Sequence, residues 1–427
     1  MEKQKTKTLI NNTIMMYVLS ITKLVIPLIS LPYLTRVLSV DCYGSVSFVK
    51  SIVSYLQILI DFGFLYSATK DIITIIKNKG NVNREIGNTF YAQLLLSALS
   101  LVIVIVCSFT ISTLDGFELF TILSSITAVL SIFLFEYVFK AYEQMGKIAV
   151  RFIVFKTIAL ILTLIFVRSD QDIILIPIFD IFASVISIVL VVLQLKKLGV
   201  KIDFSFRRIR EAFVSLRKSL VCFLSNFSST VFTLLNTVLI GLILTKTEVA
   251  HWTLSMQLIT AVHALYNPII NSVYPIMIKE KNLKIIHRIM LIYIPLIVVG
   301  SVLVYFFSDW LVELLFTEKY LTSAKIFVCM IPVLIASFPS MLYGWPALSA
   351  IDNERGYSFT ILLGVCVHII GIIVLMISHQ FTLINLAIIK CITEIVLCIS
   401  RIILVYKNRR KFNLTTSTVK DITICRN

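Results

Sequence analysis

Long apolar runs separated by short polar segments make up most of the chain. Most runs hold about 20 residues, the number that an α-helix needs to cross the hydrocarbon core of a bilayer. The pattern therefore predicts an all-α, polytopic membrane protein with about twelve transmembrane helices. We expect these helices near residues 10–34, 42–64, 88–110, 117–138, 150–167, 173–194, 219–243, 250–278, 289–308, 324–343, 357–377 and 382–406.

The composition supports the same conclusion. Of 427 residues, 58% are hydrophobic and only 15% are charged, whereas about a quarter of the residues in a soluble domain carry charge. The segments between the apolar runs are too short to hold a sizeable soluble domain. The first run follows Lys3, Lys5 and Lys7, but it is too long for the hydrophobic region of a signal peptide, so we interpret it as an uncleaved transmembrane helix.

Basic residues alternate along the chain in a way that predicts its orientation. Lys and Arg concentrate in every second segment between the runs, and the intervening segments carry only Arg36, Arg168, Lys246 and Lys319. Because basic segments remain in the cytoplasm, we expect both termini on the cytoplasmic side of the membrane. This bias explains the net charge of +16, so no nucleic-acid partner is predicted.

The most basic of these segments, residues 196–218, falls at the middle of the chain, with six predicted helices on either side. Such a layout is typical of transporters built from two structurally repeated halves. We predict an N-terminal six-helix bundle at 1–195, a basic cytoplasmic linker at 196–218, a C-terminal six-helix bundle at 219–406 and a cytoplasmic tail at 407–427. The two bundles are expected to surround a central cavity.

Four of the predicted helices, the first, second, seventh and eighth, carry polar residues at spacings of three and four, which puts each set on one helix face. Such residues can simply hold packed membrane helices together. Their occurrence in the first two helices of both halves instead favours a shared, water-filled cavity. The residues that we expect to bind substrate there are Lys23, Arg36, Lys50, Gln57, Asn226, Asn236, Gln257, Asn267 and Asn271.

Two lysines, Lys23 and Lys50, lie near the middle of their predicted helices. A lysine at the centre of the bilayer costs about 2.5–3.5 kcal/mol on insertion. Asp61 is on the same helix as Lys50, but the two are about 16 Å apart along the helix axis, so they cannot form an ion pair. We therefore expect a cavity that attracts anions.

Three intramembrane acids are candidates for proton or ion coupling: Asp61, Asp180 and Glu394. Glu394 lies four residues after Lys390, and residues at that spacing are neighbours on a helix surface. A structural ion pair along that helix is therefore the alternative interpretation of Glu394.

Motifs for other functions are absent from the sequence. It has no phosphate-binding loop of the G-x-x-x-x-G-K-[ST] type and no H-E-x-x-H zinc motif, and its five histidines have no spacing typical of a metal site. The eight cysteines are dispersed without a C-x-x-C pair, so neither a disulfide nor a metal site is predicted. We expect a protein with no catalytic residues and no cofactor, and not an enzyme.

Two stretches near the N-terminus, LPYLTRVLSVDCYGSVSF at 31–48 and DFGFLYSATKDI at 61–72, resemble the signature of polysaccharide repeat-unit flippases of the Wzx type. That family belongs to the same superfamily as multidrug-and-toxin-extrusion transporters and lipid II flippases. The resemblance implies a protein that moves undecaprenyl-pyrophosphate-linked oligosaccharide units, for O-antigen or capsule, across the cytoplasmic membrane. It also implies alternating access to a cavity lined by the first, second, seventh and eighth helices.

The same resemblance implies partners and a chemistry for the cavity. The partners are the lipid-linked oligosaccharide and membrane lipid, with a polysaccharide polymerase and a chain-length regulator as further candidates. A cationic cavity would suit the pyrophosphate group. Two positions depart from the family pattern, because Ser39 stands where Gly is usual and Lys50 where a neutral residue such as Gln is more common. Lys50 is thus a candidate for a substrate-specific contact, for example with an acidic sugar.

Two alternative functions remain open at this point. An ion-coupled multidrug exporter of the same superfamily would place unpaired acids in its cavity, whereas the first two helices carry lysines near their centres. A membrane polysaccharide polymerase would need a substantial external loop, whereas the longest one predicted here, near 308–323, is short. The flippase is therefore the preferred interpretation.

Overall fold

A computed structural model describes residues 2–200 and 209–412, with side chains outside 2–11, 13, 209, 221 and 225–234. These ranges contain α-helices, short 3-10 turns and no β-strand, so the predicted all-α class is confirmed. The helices are α1 Glu2–Val37, α2 Val40–Asp61, α3 Phe64–Lys77, α4 Asn83–Thr110, α5 Glu118–Leu130, α6 Glu136–Ala141, α7 Met145–Phe166, α8 Leu175–Lys197, α9 Ile209–Ile243, α10 Lys246–Glu280, α11 Leu283–Phe316, α12 Leu321–Cys329, α13 Ile331–Tyr343, α14 Trp345–Ala350, α15 Glu354–Ile377 and α16 Leu383–Lys407.

Within the described residues, nine helical stretches are long and apolar enough to cross a membrane. They are Ile14–Val37, Val40–Lys77, Asn83–Thr110, Glu118–Ala141, Met145–Phe166, Asp170–Lys197, Leu283–Phe316, Ile331–Ala350 and Glu354–Ile377. The protein is therefore a multi-pass membrane protein, as predicted. The predicted seventh, eighth and twelfth spans lie on α9, α10 and α16, which are not among the nine, so the number twelve stays a prediction.

The chain divides into two compact units, Met1–Ala250 and His251–Asn427. The boundary falls within α10. The predicted linker at 196–218 contains the end of α8, the start of α9 and residues outside the described ranges. The division into two six-helix bundles stays a prediction.

In the first unit, α1 packs against α7, α7 against α8, and α2 against α5 and α9. Helices in lipid associate through close packing, because lipid tails are as apolar as the side chains. Two glycines allow this approach around α2. A Cβ atom at Gly44 would collide with the Lys246 carbonyl oxygen, and one at Gly241 would collide with the Phe48 ring.

Three predicted spans are interrupted in the structure. The span predicted at 42–64 breaks after α2, where Phe62 (φ 39°) and Gly63 (φ 74°) are left-handed, and continues as α3. The span predicted at 117–138 breaks at a 3-10 turn and at Phe135, whose φ of 45° is also left-handed. The span predicted at 324–343 breaks at Met330, between α12 and α13. Left-handed backbone is uncommon at non-glycine residues. The sequence pattern therefore did not predict the helix breaks at Phe62 and Phe135.

In the second unit, α16 packs against α13 and α15. Its core includes the buried side chains of Phe338 and Leu342. Arg401 on α16 is also buried, and its guanidinium donates to the Ser340 carbonyl (3.0 Å) and hydroxyl (2.8 Å) and to the Thr360 hydroxyl (3.4 Å). This arginine therefore ties three helices together.

Candidate functional site

One face of α2 carries a row of polar side chains through the membrane. Lys50, Ser54, Gln57 and Asp61 are three or four residues apart, so they lie along one helix face. Lys50, Ser54 and Asp61 are exposed and Gln57 is half-buried, whereas residues 42–49, on the first two turns, are all buried. The Ser54 hydroxyl donates to the Lys50 carbonyl (2.8 Å). The part of α2 that is not covered by neighbouring helices is therefore its polar face.

Two residues of this row, Gln57 and Asp61, border a small cavity of about 90 Å³. The Gln57 amide donates to the Asp61 carboxylate (3.0 Å) and to the Ser131 hydroxyl (2.9 Å). Gln93 and Glu136 also line the cavity. A space of this size with several polar walls can hold water, so Asp61 lies in a polar environment.

Asp61 interacts electrostatically with two charged side chains, Glu136 and Lys23. Lys23 is exposed on α1, and its ammonium lies 5.2 Å from the centre of the Phe152 ring on α7. Glu136 in turn lies 4.0 Å from Arg151 on α7. The structure thus brings the predicted residues Lys23, Gln57 and Asp61 into one region of the first unit.

A second pair of charges lies beside Lys50. The Lys156 ammonium on α7 donates to the Asp180 carboxylate on α8 at 2.7 Å. Lys50 interacts electrostatically with both groups, and among the described residues it forms no ion pair of its own. The predicted residues Lys50 and Asp180 therefore interact electrostatically, and the pair that Asp180 forms with Lys156 has no net charge.

Other predicted residues do not join this cluster. Arg36 is exposed in the last turn of α1, and Asn236 is buried on α9. The side chain of Asn226 lies outside the described residues. The remaining four belong to the second unit: Gln257 and Glu394 are half-buried, and Asn267 and Asn271 are exposed.

Sequence reasoning missed several members of the cluster. It identified Asp180 as an intramembrane acid but not its partner Lys156, because the two are on different helices. It also missed Ser131 and Arg151, which lie next to Gln57 and Glu136. Packing decides which face of one helix meets the next. The spacing of residues within a single helix does not show which residues of another helix they will contact.

The arrangement offers cations, a carboxylate and amide donors in a partly exposed row, which suits binding and charge compensation. In the part of the chain that the structure describes, no three His, Cys, Asp or Glu side chains are grouped so that they could hold a metal ion. The one serine of the row, Ser54, donates its hydroxyl to the Lys50 carbonyl.

Comparisons with known proteins give the family and the fold. Residues 9–281, more than half of the chain, match the family described as “Polysaccharide biosynthesis protein”. A protein of Shigella dysenteriae is 24% identical over 364 residues, which cover 84% of this chain and 91% of that protein. One of Escherichia coli (strain K12) is 22% identical over 269 residues, covering 62% of this chain and 63% of that protein. Both carry the name “Putative O-antigen transporter”.

Two solved structures share the fold. The lipid II flippase MurJ, in an inward closed conformation, aligns with a TM-score of 0.71 and 12% identity over 96% of this chain and 93% of that one. A multidrug resistance MATE family transporter of the MOP superfamily, in an inward-facing conformation, aligns with a TM-score of 0.67 and 12% identity over 93% and 96%. These matches confirm the resemblance drawn from residues 31–48 and 61–72: the chain belongs to the polysaccharide biosynthesis protein family and has the fold of MOP superfamily transporters.

Proposed function

We propose that this protein is a flippase of the bacterial inner membrane that moves undecaprenyl-pyrophosphate-linked oligosaccharide units to the outer leaflet by alternating access. The family match and the names of the two relatives support a transporter for O-antigen or a similar polysaccharide, and not an enzyme. The observation that carries the proposal is the exposed row on α2, which begins at Lys50 in the middle of the helix.

Lys50 lies at the middle of α2, ten residues after Val40 and eleven before Asp61. Each half of the helix is about 15 Å long, so the ammonium cannot easily reach either surface of a core about 30 Å thick. Exposing a charge to lipid at that depth costs about 2.5–3.5 kcal/mol. The exposed side of α2 therefore faces water or a polar substrate during part of the transport cycle.

The positive charge of Lys50 favours an anionic substrate group. Lys156 and Asp180 neutralise each other, so the cation at Lys50 is left to attract phosphate oxygens, which bind ammonium groups as strong charge-assisted acceptors. The apolar outer surfaces of the spans would leave a polyprenyl tail in lipid. A multidrug exporter of cationic compounds would gain nothing from Lys50, which is why the flippase is preferred.

The test is complementation in a strain that lacks its own repeat-unit flippase but makes the cognate lipid-linked oligosaccharide. We expect wild type to restore surface polysaccharide. Lys50→Gln should reduce the output by about tenfold or more, because a charge-assisted contact is worth about 1.5–3 kcal/mol. Lys50→Arg should retain part of it. Lys325→Gln, which alters an exposed lysine on α12, is the matched control, and membrane levels of each variant are measured.

Two outcomes would overturn the proposal. Wild type that fails to restore polysaccharide but lowers the accumulation of cationic drugs would indicate a multidrug exporter. Full output from Lys50→Gln would remove Lys50 from the mechanism. A direct assay in proteoliposomes, with a fluorescent lipid-linked oligosaccharide as substrate, then distinguishes loss of transport from loss of a later biosynthetic step.

A further inference from the structure

A second cavity in the first unit, of about 530 Å³, lies between the beginning of α1, the turn between α6 and α7, and one end of α8. Its residues are separate from the row on α2. The Asn12 side chain closes one side by donating to the Glu143 carbonyl (2.6 Å). Lys147 and Arg151, one turn apart on α7, both line it.

Four polar side-chain atoms of this cavity have no hydrogen-bond partner among the described residues. Arg151 is only 5% exposed, and among the described residues neither terminal nitrogen of its guanidinium has a hydrogen-bond acceptor. The guanidinium lies 4.0 Å from the Glu136 carboxylate and 5.6 Å from the centre of the Phe139 ring. In the part of the chain that the structure describes, the side-chain oxygens of Gln144 and Gln194 are also buried without a hydrogen-bond donor. Buried polar groups without hydrogen-bond partners lower the stability of a protein. These groups could therefore bind the polar part of a ligand.

Apart from the exposed acid Glu143, the rest of the lining is apolar. Val150, Val154 and Phe155 follow Lys147 along α7, and Leu190 faces them from α8. From Gln144, just before α7, to Phe155 is about 16 Å along the helix axis. The cavity therefore changes from polar to apolar with depth, as a phospholipid does from its headgroup to its acyl chains.

The beginning of α7 adds a favourable charge. Gly146 and Lys147, in its first turn, line the cavity, and the N-terminal end of a helix carries a partial positive charge that attracts phosphate. The predicted topology puts this end of α7 at the cytoplasmic leaflet. Basic pockets between transmembrane helices on that side are typical sites for anionic lipid headgroups.

We infer that this cavity binds an anionic phospholipid of the inner leaflet. Arg151 and Lys147 hold the phosphate, Gln144 and Gln194 accept from headgroup hydroxyls, and the wall formed by Val150, Val154, Phe155 and Leu190 contacts an acyl chain. Arg151 also lies 4.0 Å from Glu136, which lines the cavity beside Asp61, but lipid binding is measured on the purified protein and does not rest on the proposed transport function. A phosphatidylglycerol headgroup, with one negative charge and two hydroxyls, matches this donor and acceptor set.

The experiment uses the full chain, purified in a detergent of neutral headgroup and freed of lipid. Thermal unfolding is followed while phosphatidylglycerol, phosphatidylcholine or inorganic pyrophosphate is added, since a ligand that binds the folded state raises its stability with concentration. We expect phosphatidylglycerol to bind about tenfold more tightly than phosphatidylcholine, and pyrophosphate alone to have no effect.

Variants assign the effect to the cavity. Arg151→Gln should weaken phosphatidylglycerol binding about tenfold, which is the cost of one charge-assisted contact, and Lys147→Gln should weaken it to a smaller extent. Arg168→Gln is the matched control, because Arg168 is exposed just beyond the other end of α7, and it should leave binding unchanged.

Three results would overturn the inference. Equal stabilisation by the two lipids would remove the charge selectivity, and stabilisation by pyrophosphate alone would assign the cavity to a soluble anion. Wild-type binding in both cavity variants would place the lipid elsewhere. If Arg151→Gln does not fold, Lys147→Gln, whose side chain is only half-buried, decides the matter.

Discussion

The Lys156 ammonium on α7 lies 2.7 Å from the Asp180 carboxylate on α8, so an ion pair joins two neighbouring helices of the first unit. The two side chains are 42% and 28% exposed, respectively, which lets water screen part of their attraction. Asp180 was one of three acids considered for ion coupling. Its pairing with Lys156 joins α7 to α8 by a pair with no net charge, and its role in coupling stays a prediction.

Breaking this ion pair should reduce stability. Asp180→Asn leaves Lys156 as an uncompensated charge, and we expect a loss of about 1–2 kcal/mol after allowance for the partial exposure. The double variant Lys156→Met/Asp180→Leu should recover most of that loss. The single variants Lys156→Met and Asp180→Leu complete the cycle with this double variant, and thermal unfolding of the three measures the coupling. Strictly additive losses would mean that the pair contributes nothing.

Asp61 is the acid that we expect to take up a proton or another cation during transport. It is exposed, it accepts from Gln57, and it has no ion pair among the described residues. Asp61→Asn should lower transport in proteoliposomes and remove its dependence on an imposed proton gradient. Lys156→Met/Asp180→Leu is the comparison and should retain that dependence. A response to the gradient that survives in Asp61→Asn would exclude this residue from coupling.

Water access to the row on α2 can be tested by thiol labelling. In a background without the eight native cysteines, Ser54→Cys should react with a membrane-impermeant maleimide, because the reactive thiolate needs a polar environment. Leu99→Cys is the control, since Leu99 is an exposed apolar side chain on α4 and should face lipid. Protection of Ser54→Cys to the same degree as Leu99→Cys would contradict a water-filled face on α2.

Arg401 should be important for the stability of the second unit. Its guanidinium bonds to Ser340 and Thr360 and lies 5.0 Å from the centre of the Tyr357 ring. We expect Arg401→Met to cost about 2–4 kcal/mol, because several buried partners lose their donor. Arg401→Lys should rescue little, since an ammonium cannot reproduce the planar fork.

The control for this variant is Arg355→Met on α15, whose side chain is exposed. Its thermal unfolding midpoint in detergent should equal that of wild type. A midpoint for Arg401→Met within error of both would show that these bonds add no net stability.

The glycines around α2 should tolerate no larger side chain. Gly44→Ala forces a methyl group against the Lys246 carbonyl, and overpacking of this kind costs about 1–3 kcal/mol. Gly300→Ala, in the interior of α11, meets nothing within 4 Å and should be neutral or slightly stabilising, because alanine is the better helix former. Thermal unfolding compares the two, and equal midpoints would refute the close approach at Gly44.

The sequence predicted the helices well where they are uniformly apolar. The span predicted at 357–377 corresponds to α15, and that at 88–110 to the membrane part of α4. Prediction failed where helices break without a proline or glycine signal, as at Phe135. The predicted second span also ended before α3, which extends to Lys77, because α3 is amphipathic and its polar residues are typical of a loop.

The candidate site was predictable along α2 but not between helices. The spacing of Lys50, Gln57 and Asp61 was enough to place them on one face, and the 16 Å estimate correctly separated Lys50 from Asp61. The partners Ser131 and Lys156 could not be predicted, since they depend on how the 3-10 turn after α5 packs against α2 and how α7 is rotated against α8. The roles of all these residues in binding stay predictions.

The polar face of α2 also bears on how the protein is made. A helix that carries a lysine at its centre and an aspartate in its last turn partitions poorly into lipid when it leaves the translocon alone. We expect α2 to remain at the protein-lined exit until α5 and α8 have been synthesised and can shield its charges. Membrane integration of this nascent chain would then be cooperative among several helices, and a ribosome stalled after α3 would release a product destined for proteolysis.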